Sequence, residues 1–241
     1  LSETIDLTPS SLLTRSGLHF SQGSGQLSLN GGFNLGSDTG PNTAFDSPVL
    51  VFNFSEVKRA NAIEISGTSG GDGVAAVLDS VAGSIVDLSG NLNVDQLGFV
   101  LSESADIILP EILSAELNFS TGELILQGSE ILDLTPAELK TKPYFIEFRQ
   151  TPSSKILFPL ENYDVINLNG STVFESDNER LTIQLTEIQR TKSIAISNTP
   201  GGDGGAIVLA VLTGTTKDIA QNPSVQNLQV ALTEIPDTAK P

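Results

Sequence analysis

Apolar and polar residues alternate over several short stretches of this chain. In "LSAELNF", Leu113, Ala115, Leu117 and Phe119 fall on one side and Ser114, Glu116 and Asn118 on the other, the period of a half-buried strand. "STG" then leads into "ELILQ", which predicts a hairpin with a glycine-containing turn. "LTIQL" at 181 to 185 and "LVFNF" at 50 to 54 repeat the alternation, the latter facing Leu50, Phe52 and Phe54 inward. Helical signals are short. "TPAE" at 135 to 138 predicts one turn capped by Thr135, and "SEVKRANAI" at 55 to 63 and "TEIQRTKSI" at 186 to 194 predict one or two turns behind a Ser or Thr cap. A branched apolar run, "AIVLAVL", and a last alternating stretch, "LQVAL", complete the pattern. Two packed antiparallel sheets per unit are its economical solution.

The pattern occurs twice. A shift of 131 aligns residues 57–110 with 188–241 without a gap, and 21 of the 54 positions are identical. Near the start, "SETIDLTPSSL" at 2 to 12 matches "SEILDLTPAEL" at 129 to 139 at a shift of 127. The chain therefore divides into a first repeat over 1–109 and a second over 110–241. No counterpart of "PEILSAELNFSTGELILQG" precedes Ser2, so the first repeat reads as lacking its opening strands. With no methionine, the sequence reads as an excerpt of a longer protein. The junction "ADIILPEI" at 105 to 112 is short and apolar, which predicts that neighbouring units stack.

Charge narrows the partners. Twenty-nine acidic against 12 basic residues give a formal charge of −17, which repels nucleic acid and anionic membranes and favours cations or basic partners; adjacent repeats of the same chain are expected as partners from the repeat itself and its apolar junction. No stretch approaches the length of a membrane span, so no membrane insertion is expected. The absence of cysteine excludes disulfides and thiolate chemistry. Few aromatics and no tryptophan argue against a stacking platform for sugars or bases.

The candidate chemistry lies in turns. "GGDG" occurs at 70–73 and 201–204, but Val74 and Gly205 stand where a phosphate loop needs lysine. Asp72 and Asp203 therefore belong to an ordinary turn, with calcium as the alternative, although one aspartate supplies few of the six to eight oxygens this cation takes. Asp87 with Asn91, and Asp218 with Asn222, are spaced to close an Asx turn; calcium is again the alternative. His19 is the only histidine and has no counterpart in the second repeat, so it reads as a strand or loop residue and the chain as non-enzymatic. Glycosylation sequons fall at Asn53, Asn118 and Asn169, the first two on the outward phase of their strands.

"SETIDLTP" and "SEILDLTP" resemble the Ser-Glu-x-x-Asp segment of bacterial immunoglobulin-like (SbsA-like) repeats of large surface and adhesion proteins. "VDLSGNLNV" at 86 to 94 and "KDIAQNPSV" at 217 to 225 are similar to the late Asp-x-x-Gly-Asn loop of that family, with Gln221 in place of the glycine in the second repeat. Similar long repeats occur in algal surface proteins, including those of mastigonemes. The resemblance implies an all-β chain of tandem immunoglobulin-like antiparallel β-sandwiches with short helical turns. It further implies an extracellular spacer, adhesive or filament-building role. A calcium-dependent adhesion module is the alternative, and a carbohydrate-binding domain a weaker one.

Overall fold

The computed structural model describes residues 3–7, 18–22, 25–28, 33–34, 37–38, 46–150 and 165–239. The chain forms two compact units, Leu1–Asp106 and Ile107–Pro241. Both are mostly β-sheet with a few short helices, an all-β chain, and no helix among the described residues is long and apolar enough to cross a membrane.

The first unit contains β1 (Leu18–Gln22), β2 (Gly25–Ser28), β3 (Phe33–Asn34), β4 (Ser37–Asp38), helix α1 (Glu56–Glu64), β5 (Val77–Ser80) and β6 (Gln96–Val100). β2, β1, β5 and β6 lie in that order in one antiparallel sheet, while β3 and β4 pair separately. Its buried apolar residues, among those described, are Ile5, Leu18, Ala60 and Ala76. Phe20 on β1 meets Phe54 edge to face, with ring centroids 5.6 Å apart. Residues 8–12 of the repeated Ser-Glu-x-x-Asp segment lie outside the described residues.

The second unit contains β7 (Ile112–Asn118), β8 (Glu123–Leu132), helix α2 (Ala137–Lys140), a 3-10 turn at Pro143–Phe145, β9 (Ile146–Gln150), β10 (Ile166–Asn167), β11 (Thr172–Val173), β12 (Asn178–Gln184), helix α3 (Glu187–Ala195), β13 (Ile207–Val211) and β14 (Asn227–Ile235). β7 and β8 form the expected hairpin, closed by Gly122, whose amide bonds the Asn118 carbonyl at 2.8 Å and whose φ of 72° suits glycine. The eight strands run β10-β9-β13-β14-β7-β8-β12-β11. β14 holds the two ends together. Its Val230 and Ala231 pair antiparallel with β13, whereas Leu232 to Ile235 pair in parallel with Ala115 to Asn118 of β7. One apolar cluster takes residues from both sides of that switch, including Leu117, Phe119, Leu124 and Leu126 from the hairpin and Phe148, Leu209 and Val211 from β9 and β13. Every one of these side chains leaves water, which stabilises the unit by roughly 1.5–3 kcal/mol per large residue.

Three local expectations need correction. Leu113, expected inward, is 54% exposed, because the β7–β8 register shifts between Ile112 and Ser114 and this bulge turns Ile112 into the core instead. Thr135 does not cap α2: its hydroxyl donates to Asp177 at 2.8 Å, and the Ala137 amide at the helix start bonds Glu175 at 2.9 Å. The other two helices run nine residues each, about two and a half turns. Their caps are as read: Ser55 accepts from the Lys58 amide, and Thr186 with Gln189 forms a reciprocal capping box.

Candidate functional site

The repeated residues assemble into the same turn system in each unit, built behind the short helix. The Arg59 guanidinium donates to Glu56 at 2.7 Å, three residues earlier on α1, and pairs with Asp106. Arg190 does the same with Glu187 and with Asp237 at 2.7 Å, and also donates to the Phe119 carbonyl at 2.7 Å. Each arginine is held above its already high ordinary pKa, first through the bond to its helix glutamate. Glu187 and Asp237 are correspondingly held below theirs by Arg190.

The glycine-aspartate turn follows the helix. Gly70 and Gly73, like Gly201 and Gly204, have φ between 86° and 97°, the left-handed region. Gly71 and Gly202 serve differently. A Cβ on either would stand 2.1 Å from the carbonyl oxygen of Ser66 or Ser197, so the backbone itself occupies the space. Asp72 accepts from the Val74 amide at 3.1 Å, and Asp203 from the Gly205 amide at 2.9 Å, both Asx turns. A glutamate outside either turn motif fastens this turn to the next strand. Glu103 accepts from the amides of Gly67 and Ala76 at 2.9 and 2.8 Å, and Glu234 from those of Asn198 and Ile207 at 2.9 and 2.8 Å. The signal was present, since Glu103 and Glu234 are identical under the shift of 131.

The aspartate-asparagine loops also match. Asp87 accepts from the Asn91 amide at 2.7 Å and its side-chain nitrogen at 2.8 Å; Asp218 makes the same two bonds to Asn222 at the same distances. Asp87 is held below the usual carboxylate range, first by the Asn91 side chain. At the turn corner Gln221 takes φ 71° where Gly90 takes 85°, so the loop geometry survives the change of residue. The Gln221 side chain is tied down, donating to Asp133 at 2.7 Å and accepting from Lys140 at 3.1 Å.

His19 does meet a carboxylate and a hydroxyl, in an order that serves no acyl transfer. Its Nε2 lies 3.3 Å from Asp79, and Ser21 donates to that same Asp79 oxygen at 2.5 Å. The aspartate stands between the other two, whereas nucleophilic activation needs the histidine there. Ser21 and the Gly98 amide, in that order, lower the Asp79 pKa. Because the folded value is the lower one, Asp79 contributes stability above the ordinary carboxylate range, and that contribution disappears as pH falls through and below it. Replacing Ser21 with alanine is expected to raise the Asp79 pKa back toward the ordinary carboxylate range. A carbon-detected NMR titration of the carboxyl checks this, and the acid unfolding midpoint of the first unit should rise with it.

The sequon asparagines are dispersed. Asn53 is exposed outside the named strands, Asn169 is exposed, and Asn118 is half-buried at the end of β7, where its side-chain oxygen accepts from the Ser120 amide at 2.9 Å. Comparison of the chain with protein-family models, with curated proteins and with solved structures returned no match.

Proposed function

We propose that the chain is a non-enzymatic repeat module of an extracellular fibre, filament or adhesin, built from tandem immunoglobulin-like β-sandwiches and held to its neighbours through copies of the same unit. The observation that carries this reading is the parallel pairing of β7, the first strand of the second unit, with β14, its last. Pulling the two ends of such a unit apart slides these strands past each other, so the ladder bonds resist together instead of opening one at a time. A module strung in a fibre under tension benefits from that geometry. The carboxylates of Asp72, Asp87, Asp203 and Asp218 support the same reading, because each accepts backbone amides of its own turn.

A second reading, a calcium-dependent adhesion module, draws on one observation. In the second unit the glutamate of the Ser-Glu segment approaches the loop aspartate: Glu130 offers a carboxylate oxygen within 4.8 Å of one from Asp218.

Single-molecule pulling on the full chain separates these. The fibre reading expects a sharp unfolding peak for the second unit, unaltered in height and in thermal midpoint by millimolar calcium. Thr233→Pro, which removes an amide from the middle of β14, should abolish that peak. A peak that appears only with calcium selects the adhesion module, and a featureless trace defeats both.

A further inference from the structure

Arg190 joins three pieces of the second unit. Its Nε and Nη2 grip the two carboxylate oxygens of Glu187 on α3 at 2.8 and 2.7 Å. Its Nη1 donates to the Phe119 carbonyl at the end of β7 and to Asp237 just beyond β14, each at 2.7 Å. The strands so bridged are the parallel pair, and the bridge stands at the end of β14 by which the chain leaves it. Ser120 adds a second tie at the same place, its hydroxyl accepting from the Thr238 amide at 2.9 Å and donating to the Pro236 carbonyl at 3.4 Å. Between these ties and the ladder, the Phe119 amide donates to the Ile235 carbonyl at 3.0 Å.

The first unit repeats the arrangement. Arg59, the counterpart of Arg190, grips Glu56 on α1 in the same fork and pairs with Asp106, the counterpart of Asp237 and the last residue of that unit. What the two copies share is the place of the pair, at the exit of the unit. A part-exposed ion pair adds little to equilibrium stability, but one at the loaded end of a strand decides how load reaches the ladder behind it.

We infer that Arg190 is a mechanical clasp. By tying the exit of β14 to the end of β7 and to α3, it delivers tension along the parallel ladder as shear and keeps β14 from peeling away one bond at a time from its loaded end. The inference rests on the fibre reading above and names the residue that makes its geometry effective. Peeling needs the exit segment to swing away from β7, and that swing is blocked while Asp237 stays on a guanidinium anchored to α3. Arginine suits this place where lysine does not, because its planar fork takes both oxygens of Glu187 and leaves Nη1 for the other two acceptors. Arg59 has the same role at the exit of the first unit.

The chain has no cysteine, so a single introduced one sets where force enters. With one handle on the N-terminus and the other at Ala239→Cys, beyond the clasp, Arg190→Gln is expected to shorten the lifetime of the second unit under constant force at least about tenfold. With the second handle at Pro236→Cys, ahead of Asp237, force bypasses the clasp, and the same variant should change the lifetime less than about threefold. Arg190→Lys, which keeps the charge and loses the fork, should behave as Arg190→Gln does. Asp237→Ala, on the exposed exit segment, should show the same dependence on handle position while the thermal midpoint hardly moves. A residue that merely stabilised the fold would shorten both lifetimes alike. Equal losses at the two handles therefore overturn the clasp, as does an undiminished lifetime with the handle at Ala239→Cys in Arg190→Gln, Arg190→Lys or Asp237→Ala. The fibre reading fails separately. If the unsubstituted chain keeps its shear peak and handle position does not matter to the variants, the clasp alone falls; a missing shear peak removes the fibre reading and the clasp with it.

Discussion

Gly202→Ala is expected to destabilise the second unit by on the order of 3–5 kcal/mol, among the largest effects a single methyl can have. The added Cβ would stand 2.1 Å from the Ser197 carbonyl oxygen and 2.7 Å from that of Ile194. Neither carbonyl is free to retreat. The Ser197 carbonyl accepts from the Gly204 amide, and that of Ile194 accepts from both the amide and the hydroxyl of Ser197. Relief therefore requires opening the turn and the end of α3 together. Gly71→Ala should act alike in the first unit, where the same two carbonyls, of Ser66 and Ile63, stand 2.1 and 2.6 Å away. Gly204→Ala supplies the control. Its φ of 86° is unfavourable for alanine but nothing lies within 4 Å of the new methyl, so about 1–2 kcal/mol is expected. Urea denaturation of the three variants ranks them. Equal costs at 202 and 204 would mean that dihedral preference, and not close approach, selects the glycines.

That distinction marks how far the sequence could be read. Two glycines with an aspartate repeated 131 residues apart identified a turn, and Asp87 with Asn91 identified another, because both are local: the side chain bonds amides two to four residues away. What joins the turns to the sheet was not legible, since Glu103 reaches 27 and 36 residues back along the chain and Arg59 reaches 47 residues forward. Such partners carry no spacing rule; only their identity in both copies points to them. The alternation of Leu181, Ile183 and Leu185 predicted their burial correctly, yet at Leu113 the same logic pointed the wrong way. Alternation holds a side only while the register holds, and a bulge inserts a residue that the pattern does not announce. Thr135 shows the same limit in a helix cap, where a distant carboxylate on Asp177 captured the hydroxyl that the local motif had assigned.

Phe148→Ala and Phe20→Ala make a matched pair whose difference reports the state of the two cores. The residues occupy equivalent places, Phe148 between Ile166 on β10 and Leu209 on β13, and Phe20 between Leu27 on β2 and Leu78 on β5. Phe148 is fully buried in a cluster that the hairpin helps to close, so its truncation is expected to cost about 3–5 kcal/mol through lost transfer energy and the cavity left behind. Phe20 is half-buried and keeps water on part of its ring, so the same truncation should cost the first unit only about 1–2 kcal/mol. Residue-resolved amide exchange assigns each loss to its own unit within the intact chain. Equal costs would show that the difference in burial between Phe20 and Phe148 does not set the loss.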